Sequence, residues 1–128
     1  MIYEFELPLP PSVNKLYVPR YNHSKRKPFM QESAEAKNYK KAVALLLSQH
    51  VAKNGTLQER GIKIHVDFYL SHDRDVDNGI KILFDALTDA KFWVDDRLVY
   101  KLSATKQKAR ISVVRVIVEC TQNCISKQ

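Results

Sequence analysis

The sequence predicts an α+β fold, β-α-β-α-β-β in chain order, within a single domain covering residues 1–128. Two stretches carry apolar residues at helical spacing, and four others alternate or run apolar as strands do. No internal repeat, low-complexity tract or linker separates them. A chain of 128 residues with 45% hydrophobic content has room for one core.

Residues 2–7, IYEFEL, alternate and stop at PLPPS, so they read as an edge or sheet-starting strand ended by prolines. The next segment, VNKLYVPRYNHSKRKPFM, has no period and reads as a long basic loop over residues 15–28. It interleaves Lys15, Arg20, Lys25, Arg26 and Lys27 with Tyr17 and Tyr21, a mixture suited to phosphates and unstacked bases. A solvated loop without function would have the same composition.

From Ser33 the pattern changes to a stripe of Ala36, Tyr39, Val43, Leu46, Leu47, His50 and Val51, opened by a serine cap and closed at Asn54-Gly55. Lys37, Lys40 and Lys41 fall on the solvent side of this helix, and His50 reads as a packed core edge rather than a ligand. IKIHVDFYL, residues 62–70, alternates strictly, with Ile62, Ile64, Val66, Phe68 and Leu70 on one face. A second stripe, Val76, Ile80, Leu83, Phe84 and Leu87, predicts a helix from about Val76 to Ala90. The last two strands lie in LVYKLSATKQKARISVVRVIVEC, where ISVVRVIV is apolar on both faces and therefore central in its sheet. The tail, about 121–128, is expected to be poorly ordered.

Lys plus Arg outnumber Asp plus Glu by 21 to 14, a formal charge of +7 that points to a polyanionic partner, most simply nucleic acid. No run approaches the ~18 apolar residues of a membrane span. The N-terminus carries acids where a secretory signal needs positive charge, so a cytoplasmic location without membrane association is expected. Cys120 and Cys124 match neither a zinc spacing nor a disulfide framework, and read as reduced thiols.

Against this basic background the acids pool in SHDRDVDNGIKILFDALTDAKFWVDD, residues 71–96. Acids before a helix can simply cap it and favour its dipole, which asks nothing of Asp95 or Asp96. A calcium loop counted from Asp73 fits Asp75 and Asp77 but puts Phe84 where a bidentate glutamate belongs. An aspartyl-phosphate motif would stand directly after a buried strand of a larger doubly wound domain, whereas SHDR intervenes here.

A divalent-metal site for phosphodiester hydrolysis remains. Asp75 and Asp77 flank Val76, whose side chain is expected in the core, so both can project to solvent. Lys81, one turn after Asp77, could stabilise charge on the pentacovalent phosphate or orient the attacking water. It could equally form an ordinary Asp/Lys helix pair. Asp96 would have to return to the cluster through AKFWVDD, a reversal that Phe92 and Trp93 could anchor.

With RDVDN, FDAL and FWVDD at this spacing, preceded by LPLPPSVNKLY, the sequence resembles the RusA-type endodeoxyribonucleases, which resolve Holliday junctions and occur largely in phages and prophages. The resemblance runs over nearly the whole chain, apart from residues 18–29 and the tail after Glu119. It implies a RusA-like mixed β-sheet with two main helices and a two-fold homodimer. It also implies magnesium on Asp75, Asp77 and Asp96, with manganese able to substitute, and a Lys81 needed for cleavage. Asp95 would support the metal shell from outside, while Asn14 and Arg74 become candidates for substrate contact.

The expected function is thus magnesium-dependent resolution of four-way junction DNA by paired symmetric incisions in recombination and repair. Lys106, Lys108 and Arg110, which share a parity on or beside a hairpin of the last two strands, would join the basic loop in holding phosphates. The alternatives are a nuclease for other branched DNA and a non-catalytic basic DNA-binding protein.

Overall fold

The computed structural model describes residues 1–120, so the expected disorder of the tail, and Cys124 with it, lie outside the described residues. The elements run β1 (Ile2–Leu7), β2 (Tyr17–Asn22), β3 (Lys27–Glu32), α1 (Ala34–Asn54), β4 (Ile62–Leu70), α2 (Ile80–Asp89), β5 (Val99–Lys108) and β6 (Val113–Glu119). Single 3-10 turns occupy Val13–Lys15 and Asp96–Leu98. The expected α+β class is observed, with a mixed sheet, two main helices and one core.

Four strands form the main sheet in the order β1-β6-β4-β5. β6 runs antiparallel to both β1 and β4, which is why its residues are apolar on one side and half-buried on the other. β5 runs parallel to β4, so the chain between them must cross the sheet, and α2 is that crossover. The last two strands are therefore not a hairpin, because β4 lies between them. Side-chain parity along β5 and β6 predicts their faces but is blind to what pairs between them.

Both helices cover the same face of this sheet. Ile62, Ile64, Val66, Phe68 and Leu70 of β4 meet Val114, Val116 and Val118 of β6 in a core shared with Ala36, Tyr39, Val43 and Leu47 of α1 and Ile82, Leu83, Ala86 and Leu87 of α2. Leu46 departs from the predicted stripe: it is 56% exposed, because Val43 and Leu47 already fill that side of the helix. Ser33 caps α1 as predicted, its Oγ accepting from the Ala36 amide at 3.1 Å and donating to the Lys15 carbonyl. The helix ends at Gly55, whose φ of 78° and N–H hydrogen bond donated to the Val51 carbonyl close the last turn. His50 packs edge-on against Tyr3 and beside Phe92, a core edge as expected.

The segment read as a basic loop over 15–28 is mostly a two-stranded antiparallel hairpin, β2 with β3, separate from the main sheet. Its faces are nearly all exposed, so no apolar alternation marks the strands. The turn contains no glycine; Arg26 supplies the left-handed residue, with φ 53°.

Candidate active site

β4 ends at Leu70, and the acidic residues 73–77 follow as a turn rather than as helix. α2 starts at Ile80, four residues later than predicted, because Gly79 has φ 110° and breaks the helical path. Val76 lies outside the helix and is 39% exposed, so its side chain is not committed to the core. The apolar spacing that enrolled it in the stripe was coincidental.

The turn is laced to the proline-rich segment after β1. Arg74 donates from Nη1 to the Pro10 carbonyl at 2.9 Å, and burial pushes its guanidinium below its ordinary pKa. Asn78 accepts from the Val13 amide through Oδ1 at 2.9 Å. A Cβ at Gly79 would lie 3.4 Å from the Pro10 ring. Arg74 and Asn78 thus fasten PPSVN to DRDVDNG, which accounts physically for both motifs. Ser12, Asn78 and Gly79 escaped the sequence reading. An Asx residue before glycine is a turn signal, but Asn78 and Val13 stand 65 positions apart, and no local pattern joins them.

This lacing leaves a concavity of about 220 Å³ lined by Val13, Leu16, Asp75, Asp77, Asn78, Gly79, Lys81 and Ile82. Asp75 and Asp77 are exposed, and among the described residues neither carboxylate has a hydrogen-bond or ion-pair partner. Lys81 pairs with Asp85 at 3.1 Å, four residues on, rather than with Asp77. That bond raises the Lys81 pKa, and the charge of Asp96 and the Tyr17 hydroxyl reinforce it.

Asp96 sits across the crossover helix, in the 3-10 turn that precedes β5. Phe92 and Trp93, both 0% exposed, anchor the reversal as expected, and Trp93 Nε1 donates to Thr88 Oγ1 at 2.7 Å. Desolvation, with a hydrogen bond to Asp95, pushes the Asp96 carboxyl above its usual range, while the Lys81 charge pulls it down. Asp95 is held low by the Arg97 amide and by Asp96. The predicted convergence of Asp75, Asp77 and Asp96 is not a preassembled cluster. Among the described residues, no three His, Cys, Asp or Glu side chains stand at metal-ligand spacing. The turn after α2 sets Asp96 beside Asp95 and within electrostatic reach of Lys81, which also lines the Asp75/Asp77 concavity.

The basic residues divide into two groups. Lys25 and Arg26 are exposed at the hairpin turn, beside Lys27 at the start of β3. Arg20 bonds Gln31 across β2 and β3 at 3.2 Å. Asn14 and Lys15 are exposed on the first 3-10 turn, and Lys15 shares a second concavity with Arg74. Lys106 is engaged elsewhere: its ammonium donates to Asp73 at 2.9 Å and to the Arg74 carbonyl at 3.0 Å, bracing the acidic turn. Lys108 lines the hollow beside it, and Arg110 is exposed in the turn before β6.

Family comparison settles the class of chemistry. The family model of endodeoxyribonuclease RusA matches residues 8–120, a span that contains every candidate site residue above. The chain belongs to the endodeoxyribonuclease RusA family. It is 36% identical over 104 residues to the crossover junction endodeoxyribonuclease RusA of Escherichia coli O139:H28 (strain E24377A / ETEC), covering 81% of this chain and 82% of that protein. It is 35% identical, with the same coverage, to the proteins of that name from Escherichia coli strain K12 and from Enterobacteria phage 82. The RusA family, the α+β fold and the nuclease class expected from the sequence are those found.

Proposed function

We propose that this RusA-family nuclease resolves four-way junction DNA by paired, magnesium-dependent incision, working as a two-fold homodimer in the cytoplasm. The observation that carries the reading is the pair of carboxylates, Asp75 and Asp77, without a partner among the described residues and facing one concavity with Lys81 at its wall. Magnesium keeps several waters and takes only one or two carboxylates plus substrate phosphate, so two hard oxygen donors in an open hollow fit it. Manganese should replace it.

Asp75 and Asp77 would hold the ion, which when bound supplies phosphate charge neutralisation and an acidified water. Lys81, kept cationic by Asp85, sits on the same wall and suits charge building on the phosphate. Asp96 contributes through Lys81, whose positive charge it favours, and Asp95 positions Asp96. Lys106 holds the turn that carries Asp75, while the hairpin cations, Asn14 and Lys15 offer phosphate contacts. Two copies bring two such sites to a junction of approximate two-fold symmetry.

Labelled four-way junction, linear duplex and flap DNA, each incubated with magnesium or chelator and sized on a denaturing gel, test this directly. The expected result is symmetric nicks in the junction only, and only with magnesium. Intact strands under every condition would sink it, and equal cutting of flaps would redirect it to other branched DNA. Asp75→Asn and Asp77→Asn should each lose at least about 100-fold in cleavage. Both should keep or strengthen junction binding, since a negative charge near DNA has gone.

A further inference from the structure

The hairpin of β2 and β3 has two unlike faces. Residues directly opposite each other in its register share a side, so Tyr17, Pro19, Tyr21, Pro28 and Met30 stand together on one face, with Glu32 at its base. Arg20, Lys27 and Phe29 fall on the other. The first face bears no cation, and its acid, Glu32, is already paired with Lys40 of α1 at 2.6 Å. Tyr17 and Tyr21 are each 50% exposed and Met30 63%, so no described residue covers this apolar surface.

The face starts at the nuclease site. Leu16 lines the concavity of Asp75, Asp77 and Lys81, and Tyr17 follows it, its hydroxyl close enough to Lys81 to favour the ammonium charge. A strand rise of about 3.4 Å per residue then sets Tyr21 roughly 14 Å from Tyr17, the length of about four base steps.

We propose that this face is a wedge that enters the open centre of a four-way junction, where Tyr21 and Met30 pack on the bases exposed at the branch. The proposal rests on the junction reading above and goes beyond it, because it assigns the choice of branched over linear DNA to the hairpin. At a branch point a base pair loses a stacking neighbour and offers a π-face that a linear duplex hides, and apolar and aromatic side chains bind such faces. Charge selects the same occupant. Arg20, Lys25, Arg26 and Lys27 have no carboxylate partner among the described residues, so the turn and the opposite face are set to hold the phosphates that flank the branch. A protein strand fits poorly, because Pro19 and Pro28 remove a backbone donor from each strand of the hairpin.

The test uses the full chain carrying Tyr21→Ala and Met30→Ala together, with chelator present so that no strand is cut. Competition between four-way junction and linear duplex, read by fluorescence anisotropy, should show the preference for the junction falling by about tenfold or more, through weaker junction binding alone. Removing the bases at the branch, by abasic substitution, should weaken wild-type binding about as much and the double variant no further, since the contact is already gone. Tyr21→Phe keeps the ring and should bind as the wild type does. Circular dichroism and melting confirm that the variants, altered at exposed positions, are folded. An unchanged preference in the double variant overturns the proposal, and so does an equal loss in wild type and variant when the branch bases are removed. Self-association lost by the double variant with the junction preference kept gives the face to a second copy and overturns it too. A wild type that shows the preference and the base dependence yet cuts nothing with magnesium sinks the nuclease reading and leaves the wedge standing. Junction cutting with a preference indifferent to Tyr21 and Met30 does the reverse.

Discussion

His50 illustrates how one residue can report on its surroundings. It stands at the edge of the core against Tyr3, Phe5 and Phe92, and burial lowers its pKa below the ordinary histidine value. The folded state therefore favours the neutral ring, while the unfolded chain protonates near pH 6.5. Between those two pKa values the unfolded state binds more protons, so stability is present above the unfolded pKa and is lost as pH falls through the folded one. The urea midpoint should accordingly drop between about pH 7.5 and about pH 5.5. His50→Phe should flatten that part of the profile while keeping the ring contacts. An unchanged slope in the variant would show that other groups dominate acid sensitivity.

Two elements depend on single residues at their ends. Ser33 is buried and joins the α1 N-terminus to the Lys15 carbonyl just before the hairpin, so Ser33→Ala should cost about 1–2 kcal/mol in chemical denaturation. At the other helix, Gly79→Ala would force a φ of 110° on a residue with a Cβ and press it against Pro10, costing about 1–3 kcal/mol. Because Gly79 also lines the Asp75/Asp77 concavity, cleavage should fall more than the change in melting temperature explains. Legibility in the sequence follows the same division. β4 and α1 were readable because one side of each is buried, which stamps a period on the residues. The β2–β3 hairpin was unreadable because both faces meet solvent, and the start of α2 was misjudged because Val76 happened to match its stripe. That Asp75, Asp77 and Lys81 share one concavity follows from their local spacing. Asp96 was harder: its position depends on the parallel pairing of β4 and β5, which no local pattern encodes.

Across the whole molecule, charge is segregated by position in the fold. The acids of the crossover and the open sheet face leave the hairpin turn as a concentrated cationic projection, with Lys25, Arg26 and Lys27 in sequence and Arg20 on the facing strand. A protein that binds DNA by neutralising phosphates releases condensed counterions, so its affinity falls linearly in log-log form as salt rises. If those three turn cations each meet a phosphate, replacing all of them with alanine removes about three contacts and should reduce the slope of log K against log salt by about 2–3. The same replacement should leave the melting temperature nearly unchanged, since all three side chains are exposed. Fluorescence anisotropy with a four-way junction at several salt concentrations measures the slope. Lysines that merely solvate the hairpin would leave it where it was, and the phosphate-holding role would then pass to Asn14, Lys15 and the region of Lys108 and Arg110. Lys106 offers the contrasting control: because it braces Asp73 and the Arg74 carbonyl, Lys106→Met should lower cleavage more than binding, with little change in the salt slope.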